Sequence, residues 1–196
     1  MLAEPIAVTL RVIEALVDLG VPYLIGGSLA SAVHGVARAT ADADLVADLH
    51  LEHAEPLAQA LGDAFYVDVE AIRDAIRHRS HFNVIHLETV FKVDVFVNKQ
   101  RPFDQAQFER RAAQIVATDP ERSVYVASAE DTVLTKLESY RLGNEVSDRQ
   151  WRDVLGVLKV QGERLDAAYL RRWARALSVE DLLEKALTAA QQQEAE

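Results

Sequence analysis

The spacing of apolar side chains changes period several times along the chain. Residues 6–19, IAVTLRVIEALVDL, repeat at helical spacing, and Gly20 closes the run. VPYLIGG, a short apolar run that includes Pro22, predicts a buried strand. SLASAVHG, which follows it, predicts a short helix with Ser28 as its N-cap. ATADADLVADL alternates and predicts a second strand, LEHAEPLAQAL a helix, and AFYVDV a short edge strand. HFNVIHL (81–87) and FKVDVFV (91–97) both alternate, are rich in β-branched residues and lie three residues apart, which is a hairpin signal. RPFDQAQFERRA then predicts a helix, and SVYVA leads into a different pattern.

From Ala129 onward the period is helical throughout. AEDTVLTKLESYRL, SDRQWRDVLGVLKV, LDAAYLRRWARAL and VEDLLEKALTAAQQQ follow one another, with Gly143, Asn144 and Gly162 at the joins. Strands mixed with helices, then helices alone, predict an α+β architecture. Its core is expected over residues 1–127, a mixed β-sheet flanked by helices, with a helical C-terminal module over residues 128–196 packed on it. No internal repeat is visible, and only the terminal QQQEAE is compositionally simple.

Composition narrows the chemistry. The 196 residues include no cysteine, which removes disulfides, thiolate catalysis and sulfur-ligated zinc. No apolar run approaches the roughly 20 residues that span a bilayer. The first residues carry acids and lack a small-residue cleavage site, so a soluble cytoplasmic protein with no membrane partner is expected. A net charge of −10 argues against a broad nucleic-acid-coating surface. Between Lys136 and Arg175, however, nine basic residues stand against six acidic ones, making this stretch net positive inside an acidic chain.

Three short stretches carry candidate chemistry. A strand running into Gly26-Gly27-Ser28 and then a helix offers backbone N–H groups, close approach and a hydroxyl to a phosphate. Asp42 and Asp44 lie two apart on a strand and so point to one face, with Ala43 and Leu45 inward. Neighbouring carboxylates repel unless a cation sits between them, and hard divalent ions, Mg²⁺ above all, meet that need. In FKVDVFV, Val93, Val95 and Val97 form the buried face, leaving Lys92, Asp94 and Phe96 on the other. A carboxylate is unfavourable in so strongly β-forming a run without a partner. For Asp94 that partner is either a basic neighbour or a metal. If its strand lies beside that of Asp42 and Asp44, the triad can hold two metal ions roughly 4 Å apart for nucleotidyl transfer. Asp94 would then be the base.

These parts resemble the nucleotidyltransferase fold, the DNA polymerase β-like superfamily. Ile25-Gly26-Gly27-Ser28 matches its Gly-Gly/Ser turn, Asp42-Ala43-Asp44-Leu45 its Asp pair, and Val93-Asp94-Val95 its third carboxylate. Within the superfamily the chain looks most like the AbiEii/AbiGii-type toxins and their small bacterial relatives. Arg38-Ala39-Thr40 just before the Asp pair, Lys136, and Arg152-Asp153 resemble further motifs of that group. The resemblance implies a Mg²⁺-dependent enzyme that moves an NMP group from an NTP to a hydroxyl. The acceptor would be a tRNA end, a partner protein or a small molecule, and a cognate toxin or antitoxin partner is implied. Asp42, Asp44 and Asp94 would serve as catalytic residues and metal ligands. Gly26, Gly27, Ser28, Arg38 and Lys136 would bind the nucleotide. The alternative is a catalytically inactive, antitoxin-like binding module of the same fold.

Other readings compete at single positions. Arg38 meets either a phosphate or an acidic neighbour. Lys136 either reaches phosphates or belongs to a solvated helix face, and Asp153 positions Lys136 or only pairs locally. Tyr140, Trp151, Tyr169 and Trp173 are read as helical core. His81 and His86, an odd number apart on a strand, face opposite sides and cannot share a metal there. His50 and His53 fall at a helix start. Arg73 to His78 resembles the Arg-x-x-x-x-His motif of HEPN ribonucleases, but that motif belongs to a helical bundle and a hairpin follows here.

Overall fold

A computed structural model describes residues 4–118 and 121–192. The last four residues of the QQQEAE tail lie outside the described residues, as do residues 1–3 at the other end. The chain divides into two compact units. The first comprises residues 1–26 and 40–126, and the second residues 27–39 and 127–196.

The first unit is built on a sheet. Among the described residues its strands are β1 (Tyr23–Ile25), β2 (Asp42–Ala47), β3 (Phe65–Tyr66), β4 (His81–His86), β5 (Lys92–Val97), β6 (Ala112–Thr118) and β7 (Glu121–Val126). They form one mixed sheet in the order β3-β4-β5-β2-β1-β7-β6. The predicted hairpin is β4–β5, antiparallel, and AFYVDV contributes the edge strand β3. β2 lies parallel to β5 and antiparallel to β1. The helices of this unit are α1 (Glu4–Asp18), α3 (Ala54–Leu61), α4 (Val69–His78) and α5 (Pro102–Arg110), with α2 belonging to the second unit.

Alternation decides which face of the sheet these helices cover. Ala43, Leu45, Val84, Val93 and Val95 are fully buried, while α1 packs on β2 and α4 on β4 and β5. Asp42, Asp44, Lys92, Asp94 and Phe96 alternate with the buried positions and take the opposite face. α4 and β6 have no counterpart in the sequence reading. Half of VEAIRDAIRH is polar, and Ile72, Ala75 and Ile76 form its buried stripe. β6 (AAQIVAT) is alanine-rich with weak alternation, and its pairing to β7 is irregular between Ile115 and Ala117.

The second unit is helical: α2 (Gly27–His34), α6 (Ala129–Leu142), α7 (Asp148–Gln161), α8 (Ala167–Ala176) and α9 (Glu180–Gln192). The C-terminal helices follow the periodic runs of the sequence closely because their starts are capped. Ser128 accepts from the Asp131 amide, Ser147 from Gln150 and Asp166 from Tyr169. Trp173 is buried in the core as expected, whereas Tyr140, Trp151 and Tyr169 are only half-buried, Tyr140 and Trp151 against each other with centroids 5.5 Å apart. Ser28 is not the cap of α2. The helix already begins at Gly27, whose φ of +55° is open to glycine at little cost, so Ser28 lies within the first turn.

The turn after α2 depends on another glycine. A Cβ at Gly35 would stand 2.8 Å from the Val157 nitrogen and 2.9 Å from the Gly156 carbonyl carbon. The chain therefore passes against the α7 backbone at a distance no larger residue permits. His34 is fixed on both sides, its ring to the Ala127 carbonyl at 2.6 Å and its own carbonyl to Gln161 at 2.6 Å.

Candidate active site

Two groups of polar side chains stand out, one in each unit. The first lies on β2 and β5. Register places Asp44 opposite Asp94 and Asp42 opposite Lys92. Because strands in register present the same face at paired positions, all four side chains share the face opposite the helices. Thr40 Oγ1 lies 3.1 Å from Asp42 Oδ1 and 2.9 Å from the Asp42 carbonyl, fixing the start of β2.

Lys92 Nζ donates to Asp94 Oδ2 at 2.7 Å. That hydrogen bond raises the Lys92 pKa above its ordinary value against the opposing effect of burial, and the charges of Asp94, Asp42 and Asp44 add to the rise. The other oxygen, Asp94 Oδ1, is buried and has no hydrogen-bond partner. Asp94 thus has the basic neighbour that its place in a β-run called for, but only one of its oxygens is satisfied. Among the described residues, no three acidic or histidine side chains are gathered as a formed metal cluster.

The second group joins α2 to α6 and α7. Arg38 donates from Nε to Asp153 Oδ1 at 2.9 Å and from Nη2 to Oδ2 at 2.8 Å, a two-pronged pair. Lys136 Nζ donates to the same Oδ2 at 2.8 Å. Ser28 Oγ, buried, lies 2.9 Å from Arg38 Nη2 and 3.0 Å from Arg149 Nη2 and accepts from both. The Asp153 side chain is only 7% exposed. Burial alone would raise its pKa, but the hydrogen bonds from Arg38 and Lys136 prevail and hold it below the usual carboxylate value. Beside this network is an open cavity of about 320 Å³, lined by Ser31, Val36, Arg38, Arg149, Arg152, Asp153 and Gly156. Arg38 and Lys136 thus share one carboxylate, and Arg149 and Arg152 line the same cavity.

Lys136 therefore does not belong to a solvated helix face, since it is buried and bound to Asp153. Arg38 has found its acidic neighbour and still shares Ser28 with Arg149. Gly26 presents no free amide, because its N–H donates to the Asp44 carbonyl at 2.9 Å. Its contribution is space, for a Cβ there would meet nothing within 4 Å. Arg149 and Lys92 are the residues that motif reading missed. Lys92 was visible as a same-face neighbour of Asp94, whereas Arg149 lies 121 positions from Ser28 with no local signal linking them. His81 is exposed and His86 buried, on opposite faces of β4. Arg73, on α4, is ion-paired with Glu55 and Glu70.

The family model of the nucleotidyl transferase AbiEii toxin, type IV toxin–antitoxin system, matches residues 22–196. The chain belongs to the AbiEii family. It is accordingly a nucleotidyltransferase, with the mixed-sheet α+β fold expected of one. No curated protein matches the chain. Solved structures resemble it at low identity. An antigenic nucleotidyltransferase-like protein from Paracoccidioides brasiliensis is 20% identical with a TM-score of 0.54, the match covering 92% of this chain and 91% of that one. ANT(2″)-Ia in complex with adenylyl-2″-tobramycin is 14% identical with a TM-score of 0.57, covering 89% and 98%. The lincomycin-bound lincosamide adenylyltransferase LnuA is 15% identical with a TM-score of 0.51, covering 81% and 98%. At such identities the likeness speaks for the fold. Among the described residues, no helix is long and apolar enough to cross a membrane.

Proposed function

We propose that this AbiEii-family chain transfers an NMP group from an NTP to a hydroxyl, with Mg²⁺ as the required ion. The observation that carries the proposal is the pairing of β2 with β5, which sets Asp94 opposite Asp44 and on the same face as Asp42. The donor set suits a hard divalent ion. All three side chains offer oxygen only, and Asp94 Oδ1 is a buried acceptor without a partner. Asp42, Asp44 and Asp94 would hold it. Once bound, it would supply positive charge to the triphosphate and acidify the acceptor hydroxyl.

The remaining work belongs to the chain's own side chains. Asp94 accepts the proton of the acceptor hydroxyl, whose oxygen forms a bond to the α-phosphorus. The bond from that phosphorus to the bridging oxygen breaks, and pyrophosphate leaves. Arg38, Arg149 and Lys136 bind triphosphate oxygens, the guanidinium forks matching phosphate geometry and the ammonium acting as a point charge. Ser28 orients the two arginines and Asp153 holds Arg38 and Lys136 in place. Gly26 and Gly27 leave room for the phosphates.

The acceptor is a hydroxyl of RNA, protein or a small molecule. The toxin description of the family supports a cognate partner that restrains the activity. Incubation with each labelled NTP, Mg²⁺ and cell extract tests the reading. Label should move to an acceptor with wild type and not with the Asp42→Ala/Asp44→Ala protein. Equal labelling by both proteins, or none by either, would overturn it.

A further inference from the structure

Lys92 has no part in the reaction just described, yet its ammonium is hydrogen-bonded to Asp94 and lies close enough to feel the charges of Asp42 and Asp44. We propose that Lys92 is a tethered counter-ion of this site, held on Asp94 Oδ2 in competition with a divalent cation. Loading the site at Asp94 is then an exchange of one cation for another. The inference rests on the reading of Asp42, Asp44 and Asp94 as metal ligands.

Four observations support it. The first is register, since Lys92 lies opposite Asp42 and two residues before Asp94, on the face of all three carboxylates. The second is the contact itself, 2.7 Å from Nζ to Oδ2. The third is the state of Asp94, which keeps a buried and unpartnered Oδ1 beside the oxygen that Lys92 holds. The fourth is the exposure of the two side chains, 39% for Lys92 against 13% for Asp94. The carboxylate is fixed in the sheet, while the ammonium sits on a flexible four-carbon stem with solvent beside it. Lys92 is therefore the mobile partner. An ordinary surface ion pair would need no such setting. Here adjacent strands place acidic side chains side by side, and a like-charge pair without a cation is destabilising. Lys92 offsets that repulsion while the site is unloaded and withdraws by side-chain rotation, with no change in the strands.

Mn²⁺ titration followed by electron paramagnetic resonance and calorimetry tests this without turnover. Lys92→Gln removes the competing charge and is expected to bind Mn²⁺ roughly tenfold more tightly than wild type, the size of effect a single neighbouring charge produces. Lys92→Arg keeps the charge and should bind as wild type does. Circular dichroism establishes that both variants are folded. Unchanged or weaker Mn²⁺ binding by folded Lys92→Gln would overturn the proposal, and so would tighter binding by Lys92→Arg. A parallel titration of Asp42→Asn/Asp44→Asn separates the two levels. If that protein binds Mn²⁺ as wild type does, the metal-site reading itself fails. If it loses binding while Lys92→Gln changes nothing, only the counter-ion role fails.

Discussion

Asp44 and Asp94 are register partners on the parallel strands β2 and β5, so two carboxylates some fifty positions apart in sequence share one face of the sheet. The pairing makes Asp94 the residue whose chemistry is easiest to separate from its structural role. Asp94→Asn keeps size and shape, and its amide oxygen still accepts from Lys92. It removes one negative charge from a repelling group, so the melting temperature should hold or rise slightly. Loss of a general base costs about 10²–10⁴ in rate. We expect transfer of labelled NMP to fall by that factor with an unchanged circular dichroism spectrum. A variant with normal turnover would remove Asp94 from the mechanism.

Arg38 makes a different kind of contact, two parallel hydrogen bonds to the nearly buried Asp153 plus a shared hold on Ser28. Lysine cannot reproduce the fork. Arg38→Ala should destabilise by about 1.5–3 kcal/mol, the range for hydrogen bonds to charged groups. Arg38→Lys should recover part of that loss in urea unfolding but not the nucleotide affinity. KM for NTP is expected to rise about tenfold or more in both, equivalent to roughly 1.4 kcal/mol. A lysine variant with wild-type KM would argue that Arg38 is purely structural.

How much of this the sequence disclosed depends on how local each signal was. The faces of β2 and β5 could be read because alternation is a property of neighbouring residues. DADLVA and KVDVFV bury every second side chain, as their patterns require. The C-terminal helices could be read because periodicity and serine or aspartate caps sit within each segment. α4 carries the same kind of signal, an Asp68 cap and Val69, Ile72, Ala75 and Ile76 at helical spacing, but the strand read over AFYVDV ran into its first residue and hid its start. The Asp triad was legible only conditionally, because strand adjacency is a tertiary fact that alternation does not contain. The phosphate-binding candidates were legible one at a time as Ser28, Arg38 and Lys136. Their joining through Asp153 and Arg149 spans contacts 115 and 121 positions long and leaves no trace in local pattern.

Asp153 also sets a pH dependence. Its carboxyl in the folded protein titrates below the ordinary value of 3.8, because the hydrogen bonds from Arg38 and Lys136 outweigh the opposing effect of burial. A depressed carboxylate pKa means that the unfolded chain takes up this proton first as pH falls. The stabilisation is complete above the unfolded value and is lost as pH drops through the lower folded one. Urea midpoints at pH 7, 5, 4 and 3 test this. Wild type should keep a constant advantage over Asp153→Asn down to about pH 5 and lose it progressively below about pH 4. An advantage that persists undiminished at pH 3 would show that the carboxylate charge is not what holds Arg38 and Lys136.

Gly35 offers a test of the helical unit at a position that carries none of the proposed binding side chains. A methyl group there would meet the Val157 nitrogen at 2.8 Å and the Gly156 carbonyl carbon at 2.9 Å, and both are main-chain atoms of α7. Side chains rotate away from such a contact, but a helix backbone does not. The helix must shift instead, and overpacking of this kind costs about 1–3 kcal/mol. Gly156 makes the control, since a Cβ there finds Val36 at 3.5 Å, an ordinary contact. Alanine also favours the helix over glycine by up to about 1 kcal/mol. Thermal melts should therefore place Gly35→Ala below wild type and Gly156→Ala at or above it. Because α2 and α7 carry Ser28, Arg149 and Asp153, a shift of α7 should also weaken NTP binding in Gly35→Ala. A Gly35→Ala protein that melts like wild type would mean that the turn after α2 can move aside, and that its close approach to α7 does not fix the two helices.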